Sequence, residues 1–317
     1  MEFCKKQGGL GPKQARTILD GGALVHRLPW KTRSTFASIL QSYSDYVIIK
    51  YGKAVIIFDG YCGASTKDIT HRQRTRGKKG PTVSFTKEMC LTVSKELFLI
   101  APQNKQCLIE LLGEVLQEAG CEVFHAQADA DVLIVQKAIE SANSKDTVLV
   151  GDDSDLLVLL LYHLTSTSYN LFLAPEPKKN AKQRVWNIKQ AREDLGLFSC
   201  KHILFQHALM GCDTTSRLFG IGKGSILKKF KVNSSLQQAA TVFDSVASTH
   251  EDIAFAGEKA LLAMYNGKKD ETLNALRFNQ YCGKVSKSFN KVEPKSLPPT
   301  SLAAKFHSYW VFLQICQ

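Results

Sequence analysis

Apolar residues along this chain fall into short β-branched runs that stop at an acid and give way to stretches of helical period. The clearest run is Thr147-Val-Leu-Val-Gly151, which ends in Asp152, Asp153 and Asp155 before a second apolar run over 156–161. Arg16-Thr-Ile-Leu19 runs into Asp20, Ala54-Val-Ile-Ile-Phe58 into Asp59-Gly60, and Cys121-Glu-Val-Phe-His-Ala126 into Asp129-Ala130-Asp131. Runs of this length and composition read as buried strands. Helical spacing is expected at about 34–50, at about 104–119 and from 130, where Val132, Val135, Ala138 and Ile139 share a face. The stretch 61–102 interrupts the alternation. It opens polar and basic, turns at Gly77 and Gly80-Pro81, and closes with an expected helix over 87–100. Strands are expected at 170–174 and 184–188 around a Pro/Lys-rich turn, and the remainder reads as helical, at about 234–248, 251–266 and 270–282. A last amphipathic piece carries Ala303, Phe306, Trp310 and Leu313. Alternation of this kind predicts an α/β fold, a mainly parallel central sheet flanked by helices, followed by a helical C-terminal part.

That topology gives the acids a common address. In open α/β sheets, ligands bind beyond the carboxyl ends of the strands, and Asp20, Asp59, Asp129, Asp131, Asp153 and Asp155 all follow apolar strands; Met210-Gly-Cys212 leads to Asp213 in the same way. One such Asp is as readily a helix cap or a turn residue. A set of them repels itself unless a cation neutralises it, which makes the edge a candidate metal site. At an extended strand end Asp153 and Asp155 would project to one side and Asp152 to the other, so the first two are candidate ligands and Asp152 a cap or a residue that supports the ligands from behind. Positions two apart do not share a helix face, so Asp129 is expected at or just before a helix start and Asp131 in its first turn.

Charge changes the picture. The 317 residues carry a formal net charge of +12, with an isoelectric point near 9.2, which points to a polyanionic partner, nucleic acid before membrane. A basic chain with a local cluster of acids has the layout of an enzyme that grips phosphates and cuts them with bound cations. Lys67, His71, Arg72, Arg74, Arg76, Lys78 and Lys79 crowd the stretch after Asp59, and two helical turns would bring Lys67 and Arg74 to one face. Gly220-Ile-Gly-Lys-Gly-Ser225, with Lys228 and Lys229 after it, suits close approach of a phosphate to backbone N–H groups; its spacing is not that of a Walker A loop. The nine cysteines show no C-x-x-C pair and no zinc spacing, and read as buried free thiols of a reducing compartment. No apolar leader opens the chain and no apolar stretch reaches spanning length, so a nuclear or cytoplasmic protein is expected, not a secreted or membrane one.

The ordered set Phe58-Asp59-Gly60, Ala128-Asp129-Ala130-Asp131, Asp153-Ser154-Asp155 and Gly211-Cys212-Asp213, followed by Leu218-Phe-Gly-Ile-Gly222, resembles the flap endonuclease/XPG family of structure-specific 5′ nucleases within the PIN-like superfamily, over roughly 15–235. The resemblance implies a nuclease domain over 14–290 between a basic tail, 1–13, and a C-terminal segment, 291–317. It implies a helical arch or clamp within 61–102 and a helix–two-turns–helix element at about 205–232 that holds duplex DNA. It also implies two Mg2+ ions, or Mn2+, held by Asp20, Asp59, Asp129, Asp131, Asp153, Asp155 and Asp213, with Lys67 and Arg74 steadying the scissile phosphate. Nucleic-acid contacts would come from Arg72, Arg76, Gly220, Gly222, Lys223, Gly224, Lys228 and Lys229. The implied activity is metal-dependent cleavage of duplex or branched DNA. A non-catalytic nucleic-acid-binding scaffold and a PIN-like ribonuclease are the alternatives.

Overall fold

The structure, a computed structural model, describes residues 15–31, 33–60, 80–176, 185–268, 270–287 and 291–316. Six strands form one sheet: β1 (Arg16–Asp20), β2 (Val55–Phe58), β3 (Glu122–His125), β4 (Thr147–Val150), β5 (Leu171–Ala174) and β6 (Trp186–Asn187). Their order is β3-β2-β1-β4-β5-β6, parallel from β3 to β5 and antiparallel only at β5–β6. The first strand in sequence is thus central in space. β2, β4 and β5 are buried at every residue, as continuous apolar runs in a covered parallel sheet should be.

Around the sheet lie α1 (Gly21–Arg27), α2 (Phe36–Tyr51), α3 (Lys95–Ile100), α4 (Pro102–Glu118), α5 (Asp131–Ala142) and α6 (Ser154–His163). Strand and helix order agree with the sequence. The apolar run after Asp155, to which the sequence pattern assigns no element, is helical, with Asp153 as its cap. Two details differ from expectation. α1 was not expected, since it opens on two glycines; the Asp20 cap and close packing outweigh their low propensity, for a Cβ on Gly21 would lie 2.3 Å from the Phe58 ring. The helix expected over 87–100 is confined to Lys95–Ile100, where Ser94 caps it by accepting from the Leu97 N–H. Upstream of it the backbone is tied elsewhere, with Cys90 bridged to Thr35 and the Val83 N–H donating to the Asn104 side chain.

The chain divides into two compact units at Ala191/Arg192, within α7 (Ile188–Leu195). The first has a core built on Phe36, Tyr43, Phe58, Phe98 and Leu108. The second holds α8 (Leu197–Lys201), α9 (Ile203–Met210), α10 (Lys223–Phe230), α11 (Ser234–Phe243), α12 (His250–Met264), α13 (Leu273–Val285) and α14 (Ser301–Cys316). It has its own core around Phe205, Phe230, Phe243 and Leu261. The helix starts follow cap chemistry: Asn233, Thr249 and Thr272 each accept a backbone N–H at the next turn, Thr249 in a reciprocal box with Asp252. No described helix is long and apolar enough to cross a membrane. Cys121 and Cys200 are buried, but Cys90, Cys107, Cys282 and Cys316 are exposed, which corrects the expectation of buried thiols for those four; all the described cysteines except half-buried Cys212 thus fall into one class or the other, and all are free.

Candidate metal centre at the carboxyl edge of the sheet

Register places the acids. Asp20 ends β1 opposite Ile57 of β2, so Asp59 lies just beyond its partner; Leu19 pairs with Val150 of β4, so Gly151 emerges beside Asp20. One glycine leaves the room these carboxylates use: a Cβ at Gly22 would sit 3.1 Å from Asp20 Oδ1 and 3.2 Å from Asp59 Oδ2, whereas the space at Gly151 is taken by the Leu156 side chain, 2.6 Å from where a Cβ would stand. The Asp20 and Asp59 carboxylates therefore face one small space, an arrangement the sequence signals only as a glycine next to a strand end.

Backbone N–H groups orient Asp20, Asp59, Asp129, Asp152 and Asp153. Asp20 Oδ1 accepts from the Ala23 N–H at 3.1 Å, and Asp59 Oδ1 from the Ala130 N–H at 3.0 Å. The Gly60 N–H donates to the Ala128 carbonyl at 2.7 Å and closes the β2 and β3 loops together. Asp129 lies before the start of α5 and accepts from the Asp131 N–H at 3.3 Å, while Asp131 stands in the first turn. At β4 the geometry differs from the strand alternation expected from sequence. The strand stops at Val150; Asp153 is the N-cap of α6, accepting from the Asp155 N–H at 3.0 Å, and Asp155 is in the helix's first turn. Asp152 accepts from the Glu176 N–H at 3.1 Å and ties the loop to the end of β5.

Electrostatics mark the centre of the group. Burial pushes the Asp20 carboxyl above the ordinary carboxylate range, and the charges of Asp59 and Asp153 push it further, against the opposing pull of the Ala23 and Gly22 N–H groups. The donors are all carboxylate oxygens, the set that suits Mg2+ or Mn2+ rather than softer metals. Among the described residues no group of three or more acid, imidazole or thiol side chains is placed to hold a metal ion.

Sequence reasoning missed a second charged group nearby. The Glu176 carboxylate accepts from Lys50 Nζ at 2.9 Å and from the Tyr46 and Tyr51 hydroxyls, and pairs with Arg27 at 2.6 Å. Burial raises its pKa, and these hydrogen bonds and charges more than reverse that. The signal was dispersed over α1, α2 and β5, so no local spacing revealed it.

In the second unit, Asp213 is exposed in the loop after Gly211, whose φ of 100° favours glycine. That loop is fastened by the Cys212 N–H donating to Thr215 Oγ1 and by Thr215 Oγ1 donating to the Ala208 carbonyl. Gly220 has φ 74°, Gly222 caps α10, and a Cβ at Gly220, Gly222 or Gly224 would meet nothing within 4 Å. Lys223 is half-buried and Lys228 exposed. Lys229 is turned inward: Nζ donates to the Ala263 and Met264 carbonyls and to Asn266 Oδ1 at 2.9, 2.8 and 2.6 Å, capping α12, and burial lowers its pKa. These three hydrogen bonds engage Lys229 at one helix end, and the phosphate contact expected from the sequence would require breaking them. Lys67, Arg72, Arg74 and Arg76 lie outside the described residues, as do the basic tail and the Pro/Lys-rich turn over 177–184.

No family model matches the sequence, and no curated protein matches it. Solved structures do match in shape. The catalytic core of Rad2 in complex with DNA substrate is 12% identical at a TM-score of 0.49, with 96% of each chain covered. A variant of the T5 5′-exonuclease is 13% identical at 0.42, covering 87% of this chain and 99% of that one. The eukaryotic junction-resolving enzyme GEN-1 is 13% identical at 0.43, covering 94% and 58%.

Proposed function

We propose that the chain is a divalent-metal-dependent phosphodiesterase acting on structured DNA. The observation that carries this is the placement of Asp20, Asp59 and Asp153 after adjacent strands along the sheet's carboxyl edge, with the Asp20 and Asp59 carboxylates facing one space. A folded protein gains nothing by crowding three like charges; a cation bound there turns the repulsion into attraction. Asp129, Asp131 and Asp155 flank the same edge on the first turns of α5 and α6 or just before them. Bound divalent ions would supply an activated water and neutralise charge on the leaving oxygen. The chain's own part is to hold the carboxylates rigidly, which the backbone N–H groups of Ala23, Ala130, Asp131 and Asp155 do.

The remaining roles rest on the sequence. Lys67 and Arg74 would steady the scissile phosphate, Arg72 and Arg76 would extend that contact, and Gly220, Gly222, Lys223, Gly224 and Lys228 would receive a duplex backbone. One observation favours the scaffold alternative: four of the acids already accept backbone N–H groups in the manner of caps, a role that needs no metal. Incubation with labelled 5′-flap, gapped duplex and RNA substrates, with and without Mg2+ or Mn2+, separates the readings. Metal-dependent cleavage of the DNA structures is expected. Binding without cleavage in every metal would establish the scaffold, and cleavage confined to RNA the ribonuclease.

A further inference from the structure

The second unit carries a feature that the carboxylate centre does not use. Between the end of α13 and the short turn at Pro294–Ser296 lies an open groove of about 690 Å³, lined by Phe219, Gln280, Lys284, Lys287, Lys291 and Lys295 among others. Its framework is fastened: Lys284 Nζ donates to the Ser296 carbonyl at 2.7 Å and to Ser296 Oγ at 2.9 Å, joining the two ends of the segment. Arg277 donates to the Pro298 carbonyl just below. Lys287, Lys291 and Lys295 are exposed, and none of them is paired with a carboxylate among the described residues; Glu293 is the single acid lining the groove. The aromatic wall is held as well. Phe219 is 50% exposed, while its backbone hydrogen-bonds the Tyr265 phenol.

We infer that this groove binds a single nucleic-acid strand, with backbone phosphates on Lys287, Lys291 and Lys295 and an unpaired base stacked on Phe219. Three uncompensated ammonium groups along a concave wall match the charge of a phosphodiester chain, and a half-exposed ring gives a stacking face that is tolerant of base identity. An acidic peptide would satisfy the lysines but has no use for the ring. Phe219 also stands directly before Gly220, so a strand held here adjoins the segment proposed to receive a duplex.

The test is binding of a fluorescent single-stranded oligonucleotide, a blunt duplex and a polyglutamate peptide to the full chain in EDTA across a salt series. EDTA keeps the result independent of cleavage, so an inert carboxylate centre would leave it untouched. The Lys287→Ala/Lys291→Ala/Lys295→Ala variant should bind the single strand more weakly and flatten its salt dependence by about two units of slope, since each lost phosphate contact on a single strand removes roughly 0.7. Phe219→Ala should weaken the single strand about tenfold with the slope unchanged, and should leave duplex binding unaltered. Circular-dichroism melts of both variants should match the wild type, because neither substitution touches the Lys284–Ser296 clasp. An unchanged single-strand affinity in Phe219→Ala, or equal losses for polyglutamate and oligonucleotide in the triple variant, overturns the assignment.

Discussion

The carboxylate edge of the first unit and the lysine segment of the second are both charged runs set beside glycines, yet they hold their side chains by different means. At the edge, parallel register sets the ends of β1, β2 and β4 side by side, and a backbone N–H orients each of Asp20, Asp59 and Asp153. In the segment, adjacent lysines part company: Lys228 faces outward, while Lys229 closes the end of α12. Strand ends impose a shared direction on the residues just beyond them, whereas a helix turns each successive side chain by about 100°, so neighbours in sequence need not share a task.

The strongest way to break the comparison is at the edge. Asp153→Asn keeps the α6 cap acceptor and removes a charge, so cleavage should fall on the order of 10³-fold or more while DNA binding is unchanged or tighter. Asp155→Asn should behave alike. Single-turnover rates within a fewfold of wild type for Asp155→Asn would remove it from the centre.

Next in size is the backbone that supports Asp59. A Cβ at Gly60 would lie 2.2 Å from the Ala126 carbonyl oxygen and 2.5 Å from that of Gln127, backbone atoms of the loop after β3. Gly60→Ala should cost about 2 kcal/mol, roughly 4–8 °C of melting temperature, read by calorimetry. A neutral result would mean that the β2 and β3 loops are free to part, and the edge would lose its rigidity.

The two lysines sharpen the contrast between the units. Lys229→Ala strips donors from the end of α12 and should lower stability by about 1–2 kcal/mol with no change in the salt dependence of duplex binding. Lys228→Ala should leave the melt unchanged and flatten that dependence by about 0.9 of a slope unit. The reverse pattern would return Lys229 to the phosphate-binding set.

The smallest effect tests the crowding itself. Because the fold holds the Asp20 carboxyl above its ordinary range, ionising it costs the folded state stability. That cost is absent at pH values below the ordinary range, sets in as pH rises through it, and is complete above the raised folded value. Asp20→Asn, which keeps the acceptor for Ala23, should therefore raise the metal-free melting temperature by roughly 2–4 °C at pH 7 and leave it unchanged at about pH 3. Added Mg2+ should stabilise the wild type more than the variant. A gain of the same size at both pH values would trace it to packing rather than charge.

These contrasts also show what was legible in the sequence. The strand ends were, because a run such as Val55–Phe58 has too few residues and too many β-branched side chains to be a helix, and its acid comes directly after it. The alternation at Asp153 and Asp155 was misread because β4 stops at Val150 and the cap belongs to a helix; an Asp-x-Asp after a strand serves either geometry. The inward turn of Lys229 and the gathering of Arg27, Lys50, Tyr46 and Tyr51 on Glu176 depend on partners far apart in sequence, which spacing does not encode.

The place of β1 has a consequence in time. This strand leaves the ribosome first but finds its β4 partner, Thr147 opposite Arg16, only after much of the first unit has been made. At translation rates of about 5–20 residues per second that is a wait on the order of ten seconds, and pairing across so long a loop is slow in its own right. Until then Asp20 and Asp153 sit on separate stretches of nascent chain, so the acidic edge comes into being as a late step of synthesis.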